Sequence, residues 1–476
     1  MNILFVIPPS PFLIDEKSLP HLGILSVANV TKTYTEYPIN VLDLSGIENY
    51  EETFSIVLNH KKFDIIGFTS STPQYPHVIE LIKHIPQEVK KILGGPHATS
   101  CFSPQNQNQR IETNKNHMLN NFDTIFIGDG ELSILNYLNN KLFDNKIIDA
   151  NTDKRLFLTN VQLDKLPFSN RNLVDLKSYH FFIDEEPCTS IISQLGCPFN
   201  CAFCCGRFSN NLRKIRNRSV DSVVKEVEFL YKTYGYKSFM FYDDELNVNK
   251  NLPLLLKKLI EFQNTLNIKF TFRGFIKSEL FNEEQASLME ICGFRWLLCG
   301  FESANDRILV NINKKSNKED NENVVRLCKK YNIKIKALMS CGHPGETKKS
   351  ILDIKDWLIT NKVEDMDLSI ITPYPGSHYY DLSTHKYDDV WEYEAMKTKD
   401  KLYSINIDYS KTSQFYKGIP RNYKSYVFTD FINSEEIVKC RDIVEQEVKF
   451  KLDITNNVNI TNTRVKFNNV IGSVLR

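Results

Sequence analysis

Net charge is the first thing this 476-residue chain lacks: 59 Lys and Arg against 58 Asp and Glu leave +1. Such a balance gives no global attraction to nucleic acid or to an anionic membrane surface. Long apolar runs are also missing. No stretch approaches the roughly 20 apolar residues of a membrane span, and Pro8 and Pro9 stop the first apolar run after Ile7. The opening residues carry neither the basic leader nor the cleavage pattern of a secretory signal, and no internal repeat is evident. Eleven cysteines are scattered rather than framed as a disulfide scaffold, which predicts reduced thiols. Together these absences predict a cytoplasmic protein with no membrane span and no nucleic-acid partner. What is present, 42% hydrophobic and 25% charged residues, suits a globular chain with ample core.

Periodicity divides the chain. Ile3–Ile7, Ile39–Leu42, Ile65–Thr69, Val89–Leu93 and Thr124–Ile127 read as buried strands, with helical stretches near 21–34, 51–61, 75–85 and after Glu131. Five strands alternating with helices predict a flavodoxin- or Rossmann-like open parallel sheet over 1–145. The polar stretch Ser103–Asn120 reads as a surface insertion, and 146–187 as an irregular linker. Six further strand-helix units, with strands at Thr189–Gln194, Ser238–Tyr242, Lys269–Phe275, Trp296–Phe301, Ile333–Ser340 and Met366–Ile371, predict a partial (β/α)6 TIM-type barrel over 188–390. Residues 391–476 differ in texture and read as a small substrate-covering module. The fold class expected is therefore α/β, with the open sheet, partial barrel and C-terminal module in that order.

Candidate functional residues gather just after strands, where open sheets and barrels bind ligands. Cys197-Pro198-Phe199-Asn200-Cys201-Ala202-Phe203-Cys204 follows the first barrel strand. Three thiolates at this spacing suit a 4Fe-4S cube with one iron left open for a small molecule. The alternative is a zinc knuckle, which wants four ligands, or buried structural thiols. Cys205, adjacent to the third ligand, reads as a core or neighbouring thiol, and no second Cys-x2-Cys pair suggests an auxiliary cluster.

With these motifs in view, the chain resembles the radical S-adenosylmethionine (SAM) enzymes, in the branch with an N-terminal cobalamin-binding domain. The resemblance rests on the cysteine run with Phe203 before its third cysteine, and on Arg216-Asn217-Arg218-Ser219-Val220 and Phe241-Tyr242-Asp243-Asp244-Glu245. It extends to Gly300-Phe301-Glu302-Ser303, His343-Pro344-Gly345-Glu346-Thr347 and Pro373-Tyr374-Pro375-Gly376-Ser377. Upstream, Pro8-Pro9, Asp64-Ile65-Ile66-Gly67-Phe68, Gly94-Gly95-Pro96-His97 and Gly128-Asp129-Gly130-Glu131 are similar to the cobalamin-domain pattern. It covers about residues 1–385 and does not extend to the tail.

The resemblance implies Cys197, Cys201 and Cys204 as cluster ligands. It implies SAM contacts from Phe203, Asp243, Asp244, Glu245, Glu302, Ser303, Gly342 and Pro344. For cobalamin it points to Thr69, Ser70, Ser71, Gly94, Gly95, His97, Gly128, Asp129 and Glu131, where small residues and hydroxyls suit a large flat cofactor. One departure is the missing axial histidine: Asp43-Leu44-Ser45-Gly46 stands where many cobalamin domains have Asp-x-His-x-x-Gly. Arg216 and Arg218 read as anion contacts or as surface ion pairs. The expected function is cobalamin-dependent radical methylation of an unactivated carbon on a small-molecule substrate, with electrons from a flavodoxin or ferredoxin. Rearrangement, cyclisation, dehydration or oxidation by the same radical, and a non-catalytic iron-sulfur sensor, are the alternative readings.

Overall fold

The computed structural model describes residues 1–103, 108–139, 145–413, 423–454, 465–466 and 475. Short runs rich in Ile, Val and Phe, each stopped by Gly, Pro or a polar turn, form β1 (Ile3–Ile7), β2 (Ile39–Asp43), β3 (Ile65–Thr69), β4 (Lys90–Gly94) and β5 (Thr124–Ile127). A sixth strand, β6 (Ile147–Asp149), completes a parallel sheet of order β2-β1-β3-β4-β5-β6. β6 lies in the segment expected to be an irregular linker; three residues are too short to carry a periodic signal. Helices cover both faces, so each face has its own apolar core. The chain reverses direction across the sheet between β1 and β3, and the crevice beyond those strand ends is where such sheets bind ligands.

The hairpin β7 (Phe182–Ile183) and β8 (Glu186–Ile191) opens the second sheet. Two short strands, β9 (Gln194–Leu195) and β10 (Arg216–Asn217), then pair antiparallel and pinch off the cysteine loop between them. β11 (Ser238–Phe241), β12 (Thr271–Ile276), β13 (Phe294–Glu302), β14 (Lys334–Cys341) and β15 (Asp365–Ile370) follow. With β8 they form six parallel strands, curled into a half-barrel and edged by antiparallel β7. Phenylalanines 239, 241, 270, 272 and 294 stack through its core at 5.4–6.4 Å between ring centres.

The C-terminal part is a four-stranded antiparallel sheet, β16 (Thr384–Tyr387), β17 (Val390–Glu394), β18 (Lys401–Ile405) and β19 (Val427–Phe428), followed by a helix at Ser434–Lys451. The sheet rests on loops beyond β13 and β14. Asp400 accepts from Arg307 at 2.7 and 2.8 Å and from Asn311 at 2.8 Å, and Thr429 donates to the Glu346 carbonyl at 2.8 Å. The helix packs on helix Lys348–Asn361 and on the open edge strand β15, where buried Arg441 donates to the Leu368 carbonyl at 3.1 Å. An uncovered parallel edge would leave backbone groups free to pair with other chains.

The Ser103–Asn120 stretch is not a surface insertion. Its described part is mostly a helix, Gln109–Asn121, capped by Asn108, and it braces the two sheets. Arg110 reaches across with its guanidinium 4.0 Å from the ring centres of both Tyr380 and Trp391, and donates to the Tyr380 carbonyl at 2.8 Å. Among the described residues no helix is long and apolar enough to cross a membrane.

Candidate active site

All eleven cysteines are free, and the three motif thiols lie on the loop between β9 and β10. The loop is fixed by backbone bonds: Cys197 N–H donates to the Leu212 carbonyl at 2.9 Å, Ala202 N–H to Ile312 at 2.8 Å and Cys204 N–H to Cys201 at 3.1 Å. Cys201 packs against Ile308 and Ile312. Burial pushes the Cys197 thiol up and the Cys204 thiol up to about 12. Arg207 offsets this. It is buried, its Nη1 donates to the Phe199 carbonyl and its Nε to that of Cys205 at 3.1 Å, and the surrounding cysteines 204, 197, 201 and 205 raise its own pKa against the effect of burial. A fixed cation favours thiolates, so the donor set suits iron. Among the described residues no three His, Cys, Asp or Glu side chains gather around a single ion. A cubane instead takes each thiolate at a different iron. Arg207 escaped the sequence reading, although it is the only charged side chain between Cys197 and Leu212.

The strand-end carboxylates divide. Asp243 is consumed internally: it accepts from the Ser193 backbone at 2.7 Å, the Gln194 backbone at 3.2 Å and the Ser193 hydroxyl. Burial nevertheless pushes its pKa up to about 6. It shapes the turn that launches the cysteine loop. Glu245 is half-buried with its Oε2 enclosed and unpartnered, and desolvation pushes its pKa up to about 7 against the pull of Lys314 and Lys277. Of the three, Asp244 borders the cavity, and desolvation there raises its pKa.

Glu302, at the end of β13, has a left-handed backbone (φ +63) beside a register shift. Its carboxylate accepts from Lys314 Nζ at 2.9 Å and the Ser340 hydroxyl at 2.7 Å. Lys314 leads the opposing charges that hold its pKa low in spite of burial. Gly300 makes room for this pair: a Cβ there would lie 2.6 Å from Glu302 Oε1 and 2.9 Å from Lys314 Nζ. Ser303 accepts from the Asn305 N–H at 3.2 Å, the Pro344 carbonyl accepts from Asn311 at 2.7 Å, and Gly342 lies under Val427 of β19. Phe203 meets His343 edge-on at 5.6 Å. His343 is buried, bonded to Ser340 at 2.8 Å and Tyr379 at 3.1 Å, and burial pushes its pKa down to about 3, so its ring is neutral.

Between the two sheets lies a cavity of about 400 Å³. Its floor is the crevice at the β1/β3 crossover: Gly67, Thr69, Gly94, Gly95, Gly128, Asp129 and Glu131 border it. Its roof is Gln194, Leu195 and Gly196 from the start of the cysteine loop, Asn211 and Arg216 from its end, and Tyr242 and Asp244 from β11's end. Three expected cofactor contacts do not border it. Ser70 is fully buried and donates to the Ser71 carbonyl at 2.8 Å, and Ser71 caps the turn through Gln74 at 2.9 Å. His97 points into the core, 3.1 Å from Thr72 Oγ1 and stacked 4.4 Å from Tyr75, with burial pushing its pKa down to about 3. His97 stands second in the short helix Pro96–Phe102 and packs on the turn and helix that follow β3.

Arg216 and Arg218 are not surface pairs. Arg216 is 2% exposed, bonded to Asp129 of the first sheet and 4.6 Å over the Phe157 ring. Arg218 joins Arg171 on Glu226, and Arg171 is wholly buried.

A half-barrel with three loop thiols after its first strand, facing an open sheet across a cavity, defines a class, and the comparisons agree. Residues 191–358 match the family model described as the Radical SAM superfamily. The chain is 26% identical over 408 residues to an uncharacterized methyltransferase of Pyrococcus horikoshii, a match spanning 80% of this chain and 83% of that one. Among solved structures, the radical SAM methyltransferase TsrM of Kitasatospora setae, with cobalamin and a 4Fe-4S cluster bound, superposes with a TM-score of 0.67 at 15% identity, over 99% of this chain and 92% of that one. The cobalamin-dependent radical enzyme OxsB superposes with a TM-score of 0.57 at 12% identity, over 77% of this chain and 53% of that one. Residues 191–358 thus carry a radical SAM domain. The chain as a whole has the two-sheet fold of TsrM.

Proposed function

We propose that this enzyme is a cobalamin-dependent radical SAM methyltransferase acting on a carbon of a small molecule. The observation that carries it is a cavity bounded on one side by the glycine-lined crevice of the first sheet and on the other by the cysteine loop and the end of β11. Bound there, a 4Fe-4S cluster with SAM supplies hydrogen-atom abstraction, and cobalamin supplies a transferable methyl group. Cys197, Cys201 and Cys204 are the cluster ligands in this reading, with Arg207 favouring their thiolates. Glu302 and Glu245 bound the SAM side, Asp244 meets polar groups in the cavity, and Phe5, Phe68, Ile92 and Phe126 keep its floor apolar and dry. A flavodoxin or ferredoxin delivers the electron. The name of the Pyrococcus relative and the TsrM fold support the same reaction class.

Anaerobic reconstitution with iron, sulfide, hydroxocobalamin, SAM and a chemical reductant tests it. Both 5'-deoxyadenosine and S-adenosylhomocysteine are expected by mass analysis. 5'-Deoxyadenosine alone would replace methyl transfer with another radical reaction, and neither product would leave an iron-sulfur protein without turnover.

A further inference from the structure

The inner face of the half-barrel holds a cation without a partner among the described residues. Strand residues alternate between faces: Phe239, Phe241 and Phe272 pack under the helices, whereas Met240, Phe275, Trp296 and Leu298 form a separate inner cluster with Phe181 and Ile183. Arg273 of β12 lies on that inner side, its guanidinium 5.3 Å from the Phe181 ring centre and 5.7 Å from that of Trp296. It makes no hydrogen bond or ion pair with any described residue. The side chain is half-buried: its Nε is enclosed, while its two terminal nitrogens, equally without partners, keep accessible surface. The neighbouring charges are already taken. Lys336 holds Asp365 at 2.8 Å and Asp367 at 3.4 Å, and Arg295 and Lys334 hold Asp184 at 2.7 and 3.1 Å. With Arg273, four cations stand against these three carboxylates, which leaves one positive charge over. Asp365 and Asp367 act on Arg273 only through space, and burial pulls its pKa down in spite of them. A guanidinium so placed carries its desolvation uncompensated, a cost that folds retain where function needs the charge.

We propose that Arg273 anchors a carboxylate of the substrate, so that the enzyme acts on a small acid whose apolar body lies along the inner face toward the cavity. This rests on the methyltransferase reading above and names its substrate class. The path is continuous. Phe275, two residues and roughly 7 Å further along β12, meets Tyr242 edge-on at 6.4 Å, and Tyr242 and Asp244 border the cavity. With Nε enclosed, the terminal pair of nitrogens offers a two-pronged, end-on fit to a planar carboxylate. The Phe181 and Trp296 rings beside it lower the local dielectric and strengthen that pair. One surplus charge matches one carboxylate. A phosphate monoester, with a charge of about −1.5 to −2 at neutral pH, would need a second free cation, and Lys336 is bound to two aspartates. A neutral ligand would leave the guanidinium unpaired.

The test titrates the cluster-reconstituted full chain with phenylacetate, phenylacetamide and phenyl phosphate by isothermal calorimetry. Phenylacetate is expected to bind roughly tenfold or more tighter than its amide, the worth of a hydrogen bond to a charged group, and no more weakly than phenyl phosphate. In Arg273→Met the difference between phenylacetate and phenylacetamide should vanish. Melting of the same variant separates a binding role from a structural one. Because no described residue bonds the guanidinium, the melting temperature should stay level or rise, whereas loss of a structural arginine would lower it by more than about 4 °C. Failure to bind phenylacetate, equal affinity for its amide, tighter binding of phenyl phosphate, or a melting temperature lowered by that much each overturns the acid anchor. The two readings fail separately. Formation of 5'-deoxyadenosine and S-adenosylhomocysteine by an enzyme with no preference for phenylacetate would leave methyl transfer standing without the anchor. The preference without S-adenosylhomocysteine would keep the acid site and assign it to another radical reaction.

Discussion

Gly128→Ala is the sharpest probe of how the two sheets meet. Gly128 follows β5 with φ +80, a left-handed backbone that costs an alanine about 1–2 kcal/mol. The added Cβ would also lie 2.3 Å from Oδ1 and 2.6 Å from Cγ of Asn211, a side chain from the opposite sheet's cysteine loop. Asn211 has little room to swing, being 3% exposed with its backbone N–H bonded to Asn151 Oδ1 at 3.0 Å. Overpacking of that kind adds about 1–3 kcal/mol, so the total is about 2–5 kcal/mol. At about 2–4 °C per kcal/mol for a unit of this size, the melting temperature should fall by about 4–20 °C. The decisive comparison is with Asn211→Ala. In the double variant the collision disappears and the backbone strain remains, so Gly128→Ala should then cost only about 1–2 kcal/mol. Strict additivity, within about 0.5 kcal/mol by thermal or urea unfolding, would show that Gly128 and Asn211 do not touch and would refute the docking geometry.

Three further outcomes are expected. Cys201→Ala should lose cluster assembly, read as bound iron and sulfide per chain, together with SAM cleavage, because two thiolates do not hold the cube; retained cleavage would refute the ligand set. Arg110→Ala should lower stability by about 2 kcal/mol or more, since it strips a desolvated guanidinium from two aromatic faces and a carbonyl, and Arg110→Lys should recover less than half, because a point charge does not replace the planar fork. A melting curve unchanged in Arg110→Ala would remove its bracing role. Burial pushes the Glu346 carboxyl from 4.5 up to about 7, so the folded chain holds a proton there that the unfolded chain gives up. Stability from that residue is present at acid pH and is lost as pH rises through about 4.5 to 7, by up to ~3 kcal/mol. Glu346→Gln should flatten this slope in urea titrations from pH 5 to 8, and an unchanged slope would refute the assignment.

The strands of both sheets are legible in the sequence because buried parallel strands are continuous apolar runs ended by Gly, Pro or polar turns, as at Ile65–Thr69 and Ser238–Phe241. The cysteine loop is legible because ligand spacing is local. Side-chain direction is not. Whether His97 faces the crevice or the core depends on the packing of a seven-residue helix, Pro96–Phe102, and whether Asp243 faces ligand or backbone depends on Ser193, fifty residues earlier. The same holds for Gln109–Asn121: its polar sequence matches a solvated loop, and its place as a brace follows from Arg110 finding Tyr380 and Trp391 some 270 and 280 positions on. The antiparallel strands β16 to β19 were missed because Lys- and Tyr-rich alternation over four or five residues does not separate from loop.

The contacts that close the cavity are polar. Arg216 bonds Asp129 and Asn211 abuts Gly128 at the cavity, Arg110 is sandwiched by Tyr380 and Trp391 away from it, and a small apolar cluster of Ile111, Tyr380, Ile407 and Tyr409 lies beside that sandwich. This arrangement follows from what the cavity must do. An apolar seam of the same area would tolerate sliding, because hydrophobic contact is non-directional. Directional bonds to a buried guanidinium fix distance and register, and breaking one leaves a charge unpaired in a low-dielectric site. Two cofactors that exchange groups across a gap need that gap held to a fraction of an ångström. Buried Arg216 fixes the separation between the cysteine loop and the β1/β3 crevice, as the proposed chemistry would require.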